Sequence, residues 1–223
     1  DFTIRTGTIV TVTGTLEIQN GSVNLATATL DLVNLTIKST ASSVANSEGL
    51  QLTGSASVLQ VRGDWTQESG GVWSPGFDST VTFDGASAQT VDQEGTTANT
   101  DFENVAVTNS TGVTFIDNSV GDLTIQDFLT VSGTATFQDA LNQINGLGIG
   151  SGATATFTGT YDNDGTLSFD IDAGADNGTL RLAAITDDAS ELGTTFTPAS
   201  GTVVYAGSSS QTVFTRINAT TAI

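Results

Sequence analysis

The stretch VWSPGFDSTVTFDGASAQTV, residues Val72–Val91, sets the pattern that the rest of the chain follows. Apolar and polar residues alternate in two short runs, around Val81 and around Val91, and a turn containing Gly85 separates them. Alternation with a period of two places apolar side chains on one face of a strand and polar side chains on the other. The stretch therefore predicts short, half-buried β-strands joined by tight turns.

A degenerate second copy of this stretch, TFTPASGTVVYAGSSSQTV, spans Thr195–Val213. Matched residues occur in the same order in both copies, which favours duplication over chance. We therefore expect a single elongated β domain over residues 1–223 with an internal duplication, about 1–109 and 110–223. The matched residues are Trp73, Pro75, Phe83, Gly85, Gln89, Thr90 and Val91 with Phe196, Pro198, Tyr205, Gly207, Gln211, Thr212 and Val213.

The remaining sequence repeats a smaller unit, a turn followed by Gly-Thr or Gly-Ser and a short alternating run. It is found as NGSVNL from Asn20, DGTLSF from Asp164 and NGTLRL from Asn177. Glycine supplies the positive φ that a tight corner needs, and β-branched residues favour strands. Repetition of one strand-and-corner unit is typical of solenoids, in which each coil buries its inner face against the next. The predicted fold class is all-β, a parallel β-helix or solenoid of short strands.

An antiparallel arrangement is the alternative. Asn-Gly and Asp-Gly between alternating apolar residues are also hairpin signals, so tandem antiparallel β-sandwich-like domains fit the same pattern. Only residues 138–148 leave room for a helical turn, and the glycines in that stretch argue against one.

Composition excludes several classes of function. The chain has 24 acidic and 5 basic residues, a formal net charge of −19, so it lacks the cations that grip nucleic acid or anionic lipid. It contains neither Cys nor His, which removes disulfides, zinc–thiolate sites, thiol nucleophiles and imidazole acid–base chemistry. No apolar run is long enough to cross a membrane as a helix. We expect no enzyme, no catalytic residues, no nucleic-acid partner, no membrane insertion and no cofactor other than calcium.

A resemblance to a protein class rests on GDWTQESGGVWSPGFDSTVTFDGASAQTV, residues 63–91, and on the two segments that follow it. These are DFENVAVTNSTGVTF, residues 101–115, and DLTIQDFLTVSGTATF, residues 122–137. Together they resemble the repeats of large bacterial cell-surface and autotransporter-like adhesins. The resemblance implies a β-solenoid on the cell surface, and the start at Asp1 without an initiator Met favours a processed, secreted chain.

The function expected from these features is mechanical: an extracellular structural protein, either a self-assembling fibre subunit or a stalk segment of a surface adhesin. Its expected partners are further copies of itself or cell-surface glycans. The alternatives are a carbohydrate-binding surface module, a polysaccharide-acting enzyme that uses two carboxylates, and an ice-binding protein.

Candidate site residues follow from side-chain chemistry. Oxygen ligands around a glycine turn suit calcium, although acids at turns are also common without an ion. Tryptophan rings suit stacking on sugars, although aromatic residues of a β protein commonly fill its core. Threonines two residues apart on a flat strand can order water. The calcium candidates are Asp162, Asp164, Asp170 and Asp172; the carbohydrate-stacking candidates are Trp65 and Trp73; the threonine pairs are Thr11/Thr13, Thr27/Thr29, Thr80/Thr82, Thr134/Thr136 and Thr154/Thr156.

Overall fold

The computed structural model describes residues 2–19, 22–38, 49–94, 102–117, 123–138, 141–159, 161–168, 178–183, 195–197 and 201–207, and all their regular structure is β. These residues form 20 short strands. In chain order the strands are β1 (Phe2–Ile4), β2 (Ile9–Ile18), β3 (Ser22–Leu25), β4 (Thr29–Ile37), β5 (Gly49–Leu52), β6 (Val58–Val61), β7 (Trp65–Gln67), β8 (Trp73–Ser74), β9 (Thr80–Phe83), β10 (Gln89–Gln93), β11 (Phe102–Val107), β12 (Val113–Asp117), β13 (Leu123–Val131), β14 (Thr134–Phe137), β15 (Leu141–Ile149), β16 (Thr154–Phe157), β17 (Tyr161–Ser168), β18 (Thr179–Leu182), β19 (Thr195–Thr197) and β20 (Thr202–Tyr205).

Every strand pair in the described part of the chain is parallel, which confirms the β-solenoid and leaves no place for the antiparallel alternative. The first stack runs β2, β4, β6, β9, β11, β13, β15, β17 and β19. The second stack starts from the C-terminal half of β4 and runs β7, β10, β12, β14, β16, β18 and β20. A third, shorter sheet contains β1, β3, β5 and β8. Residues 141–149 form the strand β15 rather than a helical turn.

The core is a set of apolar rows that run along the stacks. Parallel pairing in register places the same position of successive coils side by side. In the first stack Leu59 pairs with Val81, which pairs with Val105, and all three are at most 1% exposed. Each buried side chain thus contacts its counterparts in the coils on either side, and this supplies the burial that one short strand lacks.

Aromatic rings continue this packing under the second stack. Phe115, Phe137 and Phe157 lie in register on β12, β14 and β16. Their ring centroids are 4.5 and 4.8 Å apart and the ring planes differ by 10° and 7°. Adjacent strands of ordinary sheets are rotated by roughly 20–25°, and flat sheets usually depend on stacked side chains. Rings this close to parallel at equivalent positions indicate that these three strands are rotated little relative to one another.

Gly85 and Gln89 of the opening stretch lie at the corner between the two stacks, where the Gln89 side chain bonds the backbone. The Gln89 side chain is 2% exposed; its Oε1 accepts from the Gly85 N–H at 2.9 Å, and its Nε2 donates to the carbonyls of Val61 and Gly63. In the next coil, Asn109 donates to Gln89 Oε1 at 2.9 Å. Buried backbone groups need partners wherever the strand ladder stops. Gln89 and Asn109 supply those partners at a turn.

The second copy of the opening stretch occupies other positions in the coil. Phe196 pairs with Leu167 at the end of the first stack, whereas its matched residue Trp73 lies on β8 in the third sheet. Tyr205 pairs with Leu182 in the second stack, whereas its matched residue Phe83 lies in the first. Residues 208–223 lie outside the described residues. The duplication stays a prediction, with the two copies at different coil positions.

Substituting Gly85 by alanine tests the close packing of this corner. A Cβ at Gly85 would lie 2.1 Å from the Arg62 carbonyl oxygen, so the coils must separate. We expect Gly85→Ala to lower the free energy of unfolding by about 1–3 kcal/mol, the usual cost of overpacking. Chemical denaturation followed by circular dichroism measures this loss.

Gly14→Ala is the matched control, because a Cβ at Gly14 meets no atom within 4 Å and the backbone there does not have positive φ. Equal stability of the two variants would contradict the account of the corner.

Candidate functional site

Trp65 and Trp73, the carbohydrate-stacking candidates, lie inside the coil. Trp65 is 0% and Trp73 is 1% exposed, and their rings meet edge to face with centroids 5.0 Å apart. Phe102 packs against both, at 5.4 and 5.9 Å. A sugar ring could reach these ring faces only if the coil opened, so neither tryptophan offers a carbohydrate-stacking surface in this structure.

The calcium candidates fall in a part of the chain of which little is described. The backbone of Asp162 and Asp164 belongs to β17, and their side chains are outside the described set. Asp170 and Asp172 lie outside the described residues altogether. The calcium site at these four positions stays a prediction.

A different group of carboxylates is brought together by the coil. Asp78, Glu103 and Asp127 place one carboxylate oxygen each within 4.8 Å of one another. Glu103 lies on β11 and Asp127 on β13, which pair directly, and Asp78 precedes β9 on the other side of β11. The pairing of β11 with β13 is irregular between Phe102 and Asn104, and this irregularity accommodates Asp127 beside Glu103.

This acidic cluster offers hard oxygen ligands of the kind that calcium prefers, and a bound ion would need further oxygens from water. The sequence contains a signal for this cluster that differs from that of a local calcium loop. The three acids are spaced by 25 and 24 residues, which is one coil of the solenoid at this place. Recognising the spacing requires knowledge of the coil length.

A second charged group lies at the corner between the stacks. Arg62 Nη2 donates to Asp31 Oδ2 at 2.7 Å, and Asp31 is 7% exposed. Oδ1 of Asp31 and Oδ1 of Asp84 are buried without a hydrogen-bond partner. Burial raises the pKa of Asp84 above its ordinary value of 3.8; the Arg62 guanidinium opposes this shift and the Asp31 carboxylate adds to it. The group is thus an ion pair with a second acid beside it.

The outer face of the second stack carries the most regular surface. We call its six central residues the threonine face: Thr114, Thr134, Thr136, Thr154, Thr156 and Thr179. Thr134, Thr154 and Thr179 form one row across the strands, and Thr114, Thr136 and Thr156 form the other. Thr202 extends the first row and Thr90 the second.

The threonine pairs predicted from sequence are thus divided among several places. Thr134/Thr136 and Thr154/Thr156 lie side by side on the threonine face. Thr80/Thr82 lie on β9 in the first stack, Thr11/Thr13 lie on β2, and Thr27 precedes β4 with a φ of 51°. Thr114 and Thr179 were missed, because only the register of the strands shows that they continue the rows.

The comparisons with known proteins give no match. No family model matches it, and neither the curated proteins nor the solved structures contain a match. Among the described residues, no helix is long and apolar enough to cross a membrane. The fold is therefore established by the strand pairing and burial of the described residues alone.

Neutralising one member of the acidic cluster tests its electrostatics. Three like charges in close contact repel one another, so we expect Glu103→Gln to raise the melting temperature in dilute buffer without divalent ions. The gain should shrink as salt screens the repulsion. Glu94→Gln, which removes an exposed acid outside the cluster, controls for the overall charge. A melting temperature no higher than that of the control would contradict the cluster.

The shifted acid at the corner predicts a pH dependence. Because the pKa of Asp84 is raised in the folded state, the folded chain takes up this proton before the unfolded chain does as pH falls. Ionised Asp84 therefore lowers stability at neutral pH, and this penalty disappears as pH falls towards 3.8. We expect Asp84→Asn to be more stable than the wild type at pH 7, with the difference shrinking on acidification. Thermal unfolding across that pH range measures it, and a less stable variant at pH 7 would contradict it.

Proposed function

We propose that this chain is a non-catalytic, extracellular structural protein, a rod segment that associates end to end through the edge of the coil that contains β2, as a fibre subunit or as part of an adhesin stalk. The observation that carries the proposal is the apolar edge formed by β2. Val10, Val12 and Leu16 of β2 are only partly buried, whereas their register partners Leu30, Leu32 and Leu35 are at most 1% exposed.

The same edge provides unpaired backbone groups. In the described part of the chain β2 pairs with β4 on one side and with no strand on the other. A free strand edge is a template for the addition of another strand, and apolar side chains along it add burial to the hydrogen bonds.

The occupant that suits this edge best is another coil of the same kind. Each coil of the solenoid already pairs in parallel with its neighbour and presents an apolar inner row. A further coil from a second copy would bury Val10 and Val12 as the next coil buries Leu30 and Leu32. The net charge of −19 opposes such contact between copies, and salt reduces that repulsion.

Light scattering with increasing protein concentration tests the association. We expect the mean mass to rise with concentration, and to rise more steeply in salt. Val10→Glu should weaken association several-fold, because it places a charge in the apolar contact. Thr130→Glu adds the same charge to the outer face of β13 and should leave association unchanged.

A single monomeric mass over the whole concentration and salt range would overturn the proposal. So would equal association of the Val10→Glu and Thr130→Glu variants, since the contact would then lie elsewhere.

A further inference from the structure

We infer that the threonine face binds the surface of ice, with an ordered layer of water as its ligand. The inference concerns a surface distinct from the β2 edge, so it stands or falls separately from the proposed association. Three observations carry it: the two-dimensional order of the threonines, the flatness of the strands beneath them, and the free hydroxyl groups.

The order is that of a lattice. Along each strand, Thr134 and Thr136, and likewise Thr154 and Thr156, lie two positions apart, about 6.6 Å. Across the strands, paired threonines are one strand spacing apart, about 4.7–4.9 Å, and the ring centroids beneath them are 4.5 and 4.8 Å apart. The two repeats are on the scale of the oxygen spacings on a face of crystalline ice. A surface with both repeats presents hydroxyl and methyl groups at intervals that a layer of ordered water can match.

The match between the threonine rows and a layer of ordered water extends over several coils only if the sheet is nearly flat. An ordinary twist of roughly 20–25° per strand would turn the outer threonines away from a plane within two or three strands. Here the ring planes of Phe115, Phe137 and Phe157 differ by no more than 10°. These rings and the threonines of β12, β14 and β16 belong to the same strands, so the small rotation that the rings indicate would place those threonines close to one plane.

The hydroxyl groups of the threonine face are available for water. Within the described residues, no hydrogen bond joins any of the six hydroxyls to the protein, although other threonines make such bonds. The Thr158 hydroxyl donates to the carbonyls of Phe137 and Gln138, and the Thr111 hydroxyl donates to that of Ala86. Threonine is also stiff at χ1, so little side-chain entropy is lost when an ordered layer forms.

The face is uncharged and unlike the first stack. Its six threonines are uncharged in a chain of charge −19. Charged residues flank them: Arg181 pairs with Thr156 at one end of the second row, and Asp92 lies on the outer face of β10 at the other end. The outer face of the first stack lacks this order. There Phe128 pairs with Gly146 and its ring lies over that glycine, interrupting the rows.

Observation of single ice crystals in a nanolitre osmometer tests the inference. We expect the full chain to shape growing crystals into facets and to produce a gap between melting and freezing that increases with concentration. Thr136→Tyr projects a bulky ring from the centre of the lattice while keeping a strand-forming residue. It should lower that gap several-fold.

Thr130→Tyr is the matched control, since Thr130 is an outward residue of β13 in the first stack. It should retain the activity, and circular dichroism should show both variants folded. Round crystals with the wild type, or equal loss in both variants, would overturn the inference. Two other results, each without any effect of the wild type on ice, would also overturn the inference. Binding of the wild type to a crystalline polysaccharide would assign the face to that ligand. A mean molar mass of Thr136→Tyr in solution that differs from that of the wild type would assign the face to contact between copies.

Discussion

Parallel pairing in register is the constraint on which the rest of this structure depends. It places each residue beside its counterpart in the coil above and the coil below, so every position becomes a row. A row of apolar side chains stabilises the core, a row of phenylalanines stacks, and a row of acids repels. The consequence is seen at Phe137, which has stacked rings on both sides, and at Glu103, which has carboxylates on both sides.

The corners decide whether such rows can form at all. Each turn interrupts the strand ladder, and at the corner near Gly85 the side chains of Gln89 and Asn109 bond backbone groups of the turns. Gly85 and Gly133 allow neighbouring coils to approach, because a Cβ at either would lie within 2.2 Å of a carbonyl oxygen in an adjacent coil. The opening stretch is therefore informative chiefly for its turn residues.

The alternation of residues around Val81 and Val91 was enough to predict strands, and the recurrence of a strand-and-corner unit was enough to predict a solenoid. The candidate sites were harder to predict from the sequence, because a site in a solenoid is assembled from residues about one coil apart. Asp78, Glu103 and Asp127 do not look like a cluster in sequence. Conversely, Trp65 and Trp73 allow either a sugar-stacking platform or core packing in sequence, and the structure buries both inside the coil. Thr114 joins Thr136 only through a register that alternation alone does not fix.

The distance between two spin labels most directly tests the parallel stack. The chain has no Cys, so labels attach only at introduced cysteines. Thr90 and Val204 belong to the same row of the second stack and are separated by five strand spacings, through Thr114, Thr136, Thr156 and Arg181. At about 4.8 Å per spacing, the Thr90→Cys/Val204→Cys pair should show a backbone separation near 24 Å, and the Thr90→Cys/Arg181→Cys pair one near 19 Å. Distances that do not increase by one strand spacing between the two pairs would contradict the stacked, in-register solenoid.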